Sequence, residues 1–169
     1  MQATDFTAPF LQEIQRRLFE ECWPRLEKCL AQLTEAEIWQ RPNENSNSIG
    51  NITLHLCGNL RQWVVAGLGK AEDIRQRQQE FDERGPLPTK LLLEKMHETM
   101  MDVQSVLDKV STEDLLAMHQ VQGFQESGIA ILVHVTEHYS YHVGQMTYFV
   151  KAIKDMDIGY YANVDLEAK

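Results

Sequence analysis

Four histidines hold the chemistry this chain could do. Three of the six recur at every fourth position between Ser127 and Asp155: His134, His138 and His142. In a helix they fall along one face, drifting about 40° per step at about 3.6 residues per turn. Two imidazoles one turn apart can close on a single metal ion. The same face carries Ile131, Val135, Gln145, Phe149 and Ala152, so it reads as a buried face. Buried imidazoles need polar partners or a metal. A third nitrogen from a facing helix would complete a set that leaves the remaining positions to water or substrate, as in catalytic divalent sites. His55 suits that place, because it is the only other histidine on an apolar helical stripe. Neutral imidazole serves zinc, nickel, copper and iron, and spacing does not select among them. Nor does spacing choose between His134–His138 and His138–His142 as the chelating pair.

The competing reading is a group of core histidines satisfied by Glu137, Tyr141, Gln145 or Asn59. Leaving several of them buried and unpaired would cost about 1–3 kcal/mol each. Two other metal patterns are disfavoured. His138 is followed by Tyr139-Ser140-Tyr141, so there is no His-Glu-x-x-His zinc motif, and Glu98 and Glu137 are poorly spaced for a di-iron bundle. His97 should face outward, and His119 lies in an extended or irregular stretch without partners at useful spacing.

Four helical patterns must position these residues. The first starts between Thr4 and Thr7 and runs to about Leu33, with Leu11, Ile14, Leu18, Cys22, Leu26, Cys29 and Leu30 on its buried stripe. Pro24 should kink it by removing one backbone hydrogen bond. A capping box, Thr34-Glu35-Ala36-Glu37, opens a short turn before Trp39 and Pro42. Ser48 or Asn47 caps the second helix, which runs to about Gly67 with Ile52, His55, Leu56, Asn59, Leu60 and Trp63 facing inward. Residues 68–88 read as a charged, solvated connection, anchored by Ile74 and Phe81, with room for a helical turn. Its length allows a crossover that leaves helices two and three parallel. The third helix starts near Thr89 and carries Leu92, Met96, Met100, Val103, Leu107 and Val110, with Met96, Met100 and Met101 as core filler. After a turn at Ser111 and an extended or irregular stretch from Met118 to Glu126, Ser127 caps the fourth helix, which ends near Asp155. Residues 156–169 form a polar tail at the surface. The chain is thus all-α, a four-helix bundle with a long crossover between helices 2 and 3 and no convincing sheet.

Bulk properties narrow the function. With 169 residues and a hydrophobic fraction of 43%, the chain makes one domain with a proper core. Twenty-five acidic residues against 16 basic ones give a net charge of −9, which argues against nucleic-acid binding. No apolar run reaches the roughly 20 residues that span a bilayer, and no leader pattern opens the chain, so a cytoplasmic, membrane-free protein is expected. Three scattered cysteines, Cys22, Cys29 and Cys57, make neither a disulfide framework nor a thiolate zinc site.

Three motifs in order resemble the DinB/YfiT-like superfamily of metal-binding four-helix bundles. They are Trp39-x2-Pro42 followed by Ser48-Ile49-Gly50, Ile52-x2-His55-Leu56, and His138-x3-His142-x2-Gly144-Gln145-Met146. The resemblance covers most of the chain. It implies a down-up-up-down bundle over residues 1–155, with a divalent ion, often nickel or zinc, held by His55, His138 and His142. His134 then becomes a supporting residue. Known members include transferases and isomerases that use a low-molecular-weight thiol of the bacillithiol or mycothiol type. The resemblance therefore implies a metal-dependent thiol S-transferase acting on a small electrophile. Metal-assisted hydrolysis with the same ligands, and a non-catalytic, metal-dependent or stress-linked dimeric binding protein, are the alternatives. Trp39, Asn59, Trp63, Tyr141 and Gln145 are pocket candidates, the catalytic residues are undetermined, and a homodimer is consistent with the family.

Overall fold

A computed structural model of the chain describes residues 6–168. Among these residues it is mainly helical, with seven helices and one two-stranded hairpin. The mainly helical make-up fits the all-α expectation, and the small hairpin departs only from the expectation of no sheet. Helix α1 is continuous over Thr7–Gln15, Arg16–Cys22 and Trp23–Ala31; α2 is Glu35–Trp39. Helix α3 is Ile49–Leu60 and continues through Arg61–Leu68; α4 is Arg77–Asp82, α5 Thr89–Leu107 and α6 Thr112–Leu116. Strands β1 (Met118–Val121) and β2 (Phe124–Ser127) lead into α7, Gly128–Lys154. The four long helices contact one another in a closed ring: α1 on α7, α7 on α3, α3 on α5, and α5 on α1.

Local chemistry places the helix starts. Thr34, Ser48 and Ser111 each accept a hydrogen bond from the backbone N–H three residues on, and Glu37, Asn51 and Asp114 return the bond. The Ser127 hydroxyl accepts from the Ala130 N–H to start α7, and Asp155 ends it in a left-handed conformation. The expected cap at Thr4 falls outside the described residues; α1 starts at Thr7 behind Phe6, which makes no side-chain cap bond.

The helix changes register ahead of Pro24. The stretch Arg16–Cys22 adopts the wider π register, in which the Trp23 N–H reaches the Leu18 carbonyl. The α-helix then restarts with Pro24 in its first turn, where a missing N–H costs little.

The core is built from the predicted stripes. Leu18, Leu26 and Leu30 from α1, Leu56 and Leu60 from α3, Leu92, Met96 and Met100 from α5, and Val135 from α7 are all buried, and Tyr139, outside the predicted stripe of α7, is buried with them. Of the three methionines expected to fill the core, Met96 and Met100 are buried and Met101 is exposed. The hairpin turns through Gln122 and Gly123, both at positive φ, as a tight two-residue turn requires. His119 lies on β1. It is buried, and its Nε2 lies 2.8 Å from the Asp114 carbonyl oxygen. The tail is largely exposed, yet Tyr160 returns to α1 and α7, its hydroxyl 2.7 Å from Thr147 Oγ1 and 3.2 Å from Cys29 Sγ. No helix among the described residues is long and apolar enough to cross a membrane.

Candidate metal centre

Helices α3 and α7 bring His55, His138 and His142 together. The His138 Nε2 lies 3.1 Å from the His55 Nε2 and 3.2 Å from the His142 Nε2. One ligand nitrogen from each falls within 4.8 Å of the others. Tetrahedral nitrogens about 2.1 Å from a metal sit about 3.4 Å apart, so this spacing is close to that of a coordination shell.

The tautomers follow from the partners of the other ring nitrogens. His55 Nδ1–H donates to Glu80 Oε2 at 2.9 Å, and His142 Nδ1–H donates to Gln145 Oε1 at 2.8 Å. Both Nε2 atoms are then bare lone pairs turned toward His138. His138 Nε2 carries at most one proton, so it can satisfy only one of them. The remaining pair faces lone pair to lone pair, an arrangement that a cation between them relieves. Burial lowers the pKa of His138 to about 3, reinforced by His142, His55, His134 and Arg75. Burial also lowers His142, with the Gln145 bond opposing and His55 assisting. The His138 and His142 rings are thereby held in the neutral form, the form that binds metal.

His55 is held by residues that sequence reasoning missed. Arg75 Nε and Nη2 donate to the two oxygens of Glu80 at 2.7 and 2.8 Å, a bidentate pair. The side chains are 4% and 10% exposed. Arg75 Nη1 also donates to Gln62 Oε1 at 2.8 Å. Burial by itself would raise the Glu80 pKa, but its bonds from Arg75 and His55 outweigh this and hold it below the usual value. The expected solvated connection holds for the exposed residues 76–79, 82, 84 and 86, but not for Arg75, Glu80 and Phe81, which pack against α3. Asn51 Nδ2 donates to the carbonyls of Glu80 and Glu83, and Arg41 Nη2 donates to that of Phe81. The Phe81 ring lies 4.9 Å from that of His55, whereas Ile74 is 79% exposed and anchors nothing. A Cβ on Gly58 would collide with the Glu80 carboxylate. That helix-interior glycine is the sequence signal that the Arg75–Glu80 pair approaches α3 closely.

The histidine row lies at the edge of the buried face of α7, rather than along its middle. Ile131, Val135, Tyr139, Val143, Met146 and Val150 are buried, while His134, His138 and His142 are half-buried and Gln145 and Ala152 exposed. The row is thus open on one side. His134 stays out of the cluster of nitrogens and stacks on Trp63 with centroids 3.9 Å apart. Its Nε2, the His138 Nδ1 and the Asn59 Oδ1 are buried without hydrogen-bond partners. Trp63 Nε1–H donates to Gln122 Oε1 on the hairpin.

The remaining pocket candidates separate. Trp39 anchors the loops: its ring covers Gly50 and Gly85, and its Nε1–H donates to the Leu87 carbonyl. Tyr141 and Gln145 line an open groove beside the cluster, with Ile49, Ile52, Tyr148 and Phe149. Asn59 and Trp63 are buried away from that groove.

Comparisons place these features in a family. A family profile described as Protein of unknown function (DUF1572) matches residues 5–162. No curated protein matches the chain. Among solved structures, a conserved protein from Enterococcus faecalis superposes with a TM-score of 0.70 at 19% identity, over 91% of this chain and all of that one. A DinB-like protein from Bacillus cereus gives 0.63 at 18% identity, over 88% of this chain and 93% of that one. At such identities the likeness establishes a shared fold. With the profile matching nearly the whole chain, the protein belongs to the DUF1572 family, and it shares its fold with a DinB-like protein.

Proposed function

We propose that the protein holds a divalent ion, nickel or zinc, through the Nε2 atoms of His55, His138 and His142. We further propose that it is a metal-dependent thiol S-transferase acting on a small electrophile. The observation that carries this reading is the convergence of three imidazole nitrogens, two with their tautomers set by Glu80 and Gln145. Bound there, a divalent ion supplies Lewis acidity that lowers the pKa of a thiol reaching its open positions. The chain does the rest. Glu80 and Arg75 hold His55 in orientation, Gln145 holds His142, and the open edge of α7 admits substrate from the groove side.

The sulfur comes from a co-substrate. Burial raises the thiols of Cys22 and Cys57 to about 11 and raises Cys29 as well, so none of the three is a ready nucleophile. The thiol loses its proton to solvent, the thiolate forms the new S–C bond, and the leaving group departs with the bonding electrons. A low-molecular-weight thiol of the bacillithiol or mycothiol type suits the resemblance to DinB-like proteins. On this reading the ring of long helices is a down-up-up-down four-helix bundle, with α3 and α5 joined by the long crossover. A cytoplasmic, homodimeric protein that binds neither nucleic acid nor membrane completes the proposal.

A panel of low-molecular-weight thiols assayed against monochlorobimane, with and without metal, tests the transferase. Metal-dependent conjugation with one thiol, lost in His55→Ala, is the expected result. Conjugation with none would leave the alternative, a non-catalytic metal-dependent binding protein.

A further inference from the structure

The groove beside the histidines reaches into the site through two residues. Gln145 lines it and also accepts the His142 Nδ1–H bond, and Ile52 lines it three residues before His55 on α3. Its volume is about 790 Å³, enough for a small molecule. Its body is apolar and aromatic, made by Ile49, Ile52, Tyr148 and Phe149, and its rim carries the amides of Asn45 and Asn47. No lysine, arginine, aspartate or glutamate lines it, although the chain as a whole carries a net charge of −9. A charged ligand would meet no counter-ion among the lining residues.

Gly144 is an independent observation. A glycine inside a helix weakens it relative to alanine, so its presence calls for a reason. Gly50 and Gly58 on α3 have one, because the Trp39 ring and the Glu80 carboxylate occupy the space a Cβ would take. Gly144 has neither a left-handed backbone nor a neighbour: a Cβ there would meet nothing within 4 Å. It leaves a bare floor in the groove, facing Tyr141 and Tyr148 on the same helix, which are 62% and 77% exposed.

We propose that this groove binds an uncharged small molecule with an apolar, aromatic body, and that it receives the electrophile rather than the thiol. The acceptor role rests on the transferase reading; the binding site and its preference for neutral ligands do not. An amide-lined rim gives such a ligand hydrogen-bonding partners, and the Gln145 end brings it to the ligand histidines.

Two fluorescent probes with the same aromatic body test this: neutral N-phenyl-1-naphthylamine and anionic 8-anilinonaphthalene-1-sulfonate. The neutral probe is expected to bind saturably, at least tenfold tighter than the anionic one, both before and after metal is stripped with EDTA. Gly144→Trp should weaken the neutral probe at least tenfold with the circular dichroism spectrum unchanged, and Gly144→Ala much less. Equal or tighter binding of the anionic probe overturns the proposal, as does a folded Gly144→Trp protein that binds like the parent. A parent dimer that Gly144→Trp converts to monomer, with no probe uptake by either, also overturns it and assigns the groove to a second copy of the chain. Metal content measured on the same samples separates a failure of the metal reading from a failure of the groove.

Discussion

The two sides of the histidine cluster are built in different ways. On the α7 side, His138 and His142 are placed by helix periodicity, and His142 is oriented by Gln145, three residues along the same helix and exposed to solvent. On the α3 side, His55 is oriented by a buried ion pair whose members lie 20 and 25 residues away in sequence. The first arrangement is local and replaceable. The second depends on tertiary packing, and its loss strands a buried charge. Each substitution at the centre should therefore have a cost that depends on the side it falls on.

Glu80→Ala should have the largest effect on stability. It leaves Arg75 buried without its carboxylate, and removing one member of a buried pair costs about 3–5 kcal/mol. Urea denaturation should show the loss, with Glu80→Gln falling between parent and Ala. Metal affinity should fall by about 10–100-fold in the same variants, as for other groups that orient a ligand histidine. Gln145→Ala should cost about 0.5–1.5 kcal/mol or less and weaken metal by less than Glu80→Gln. Equal effects from the two orienting residues would erase the distinction between the sides.

Titration of the metal-free protein should separate them too. His138 and His142 have lowered pKa values in the folded state, so below their unfolded value near 6.5 the unfolded chain takes up more protons. Their contribution is fully present above 6.5 and falls as pH drops, for His138 down to about 3. Glu80 is also lowered, from 4.5, so its contribution is present above 4.5 and lost as pH falls through the folded value. Stability measured against pH should decline first from the α7 side. His138→Asn should flatten the limb between 6.5 and 4.5, and Glu80→Gln should leave that limb in place. The smallest effect is expected at Gly144→Ala, a gain of about 0.5–1 kcal/mol, because an open helix position exchanges glycine for alanine.

The same division governs what the sequence discloses. A four-residue repeat and its caps are local, so the α7 ligands, the Ser48 and Ser127 caps and the inward stripe of α3 can be read directly. Periodicity identifies a face but not its edge, and so the histidine row was expected to be buried and is instead half-open. Arg75 and Glu80 sit in a glutamine-rich stretch without periodicity, where charges ordinarily face water. Only the glycine they need on α3, Gly58, hints at them. His119 is similar: a strand of four residues is too short for its pattern to announce a buried face. The π register before Pro24 was not legible either, because a proline indicates where a helix must yield and not how.

The central claim is that His55, His138 and His142 hold a divalent ion. Metal analysis of the protein purified without a histidine tag tests it most directly. About one equivalent per chain is predicted for the parent, with the metal lost in His55→Ala and kept in His134→Ala. Absence of stoichiometric metal after incubation with nickel or zinc, or a His55→Ala protein that binds as the parent does, would contradict the account.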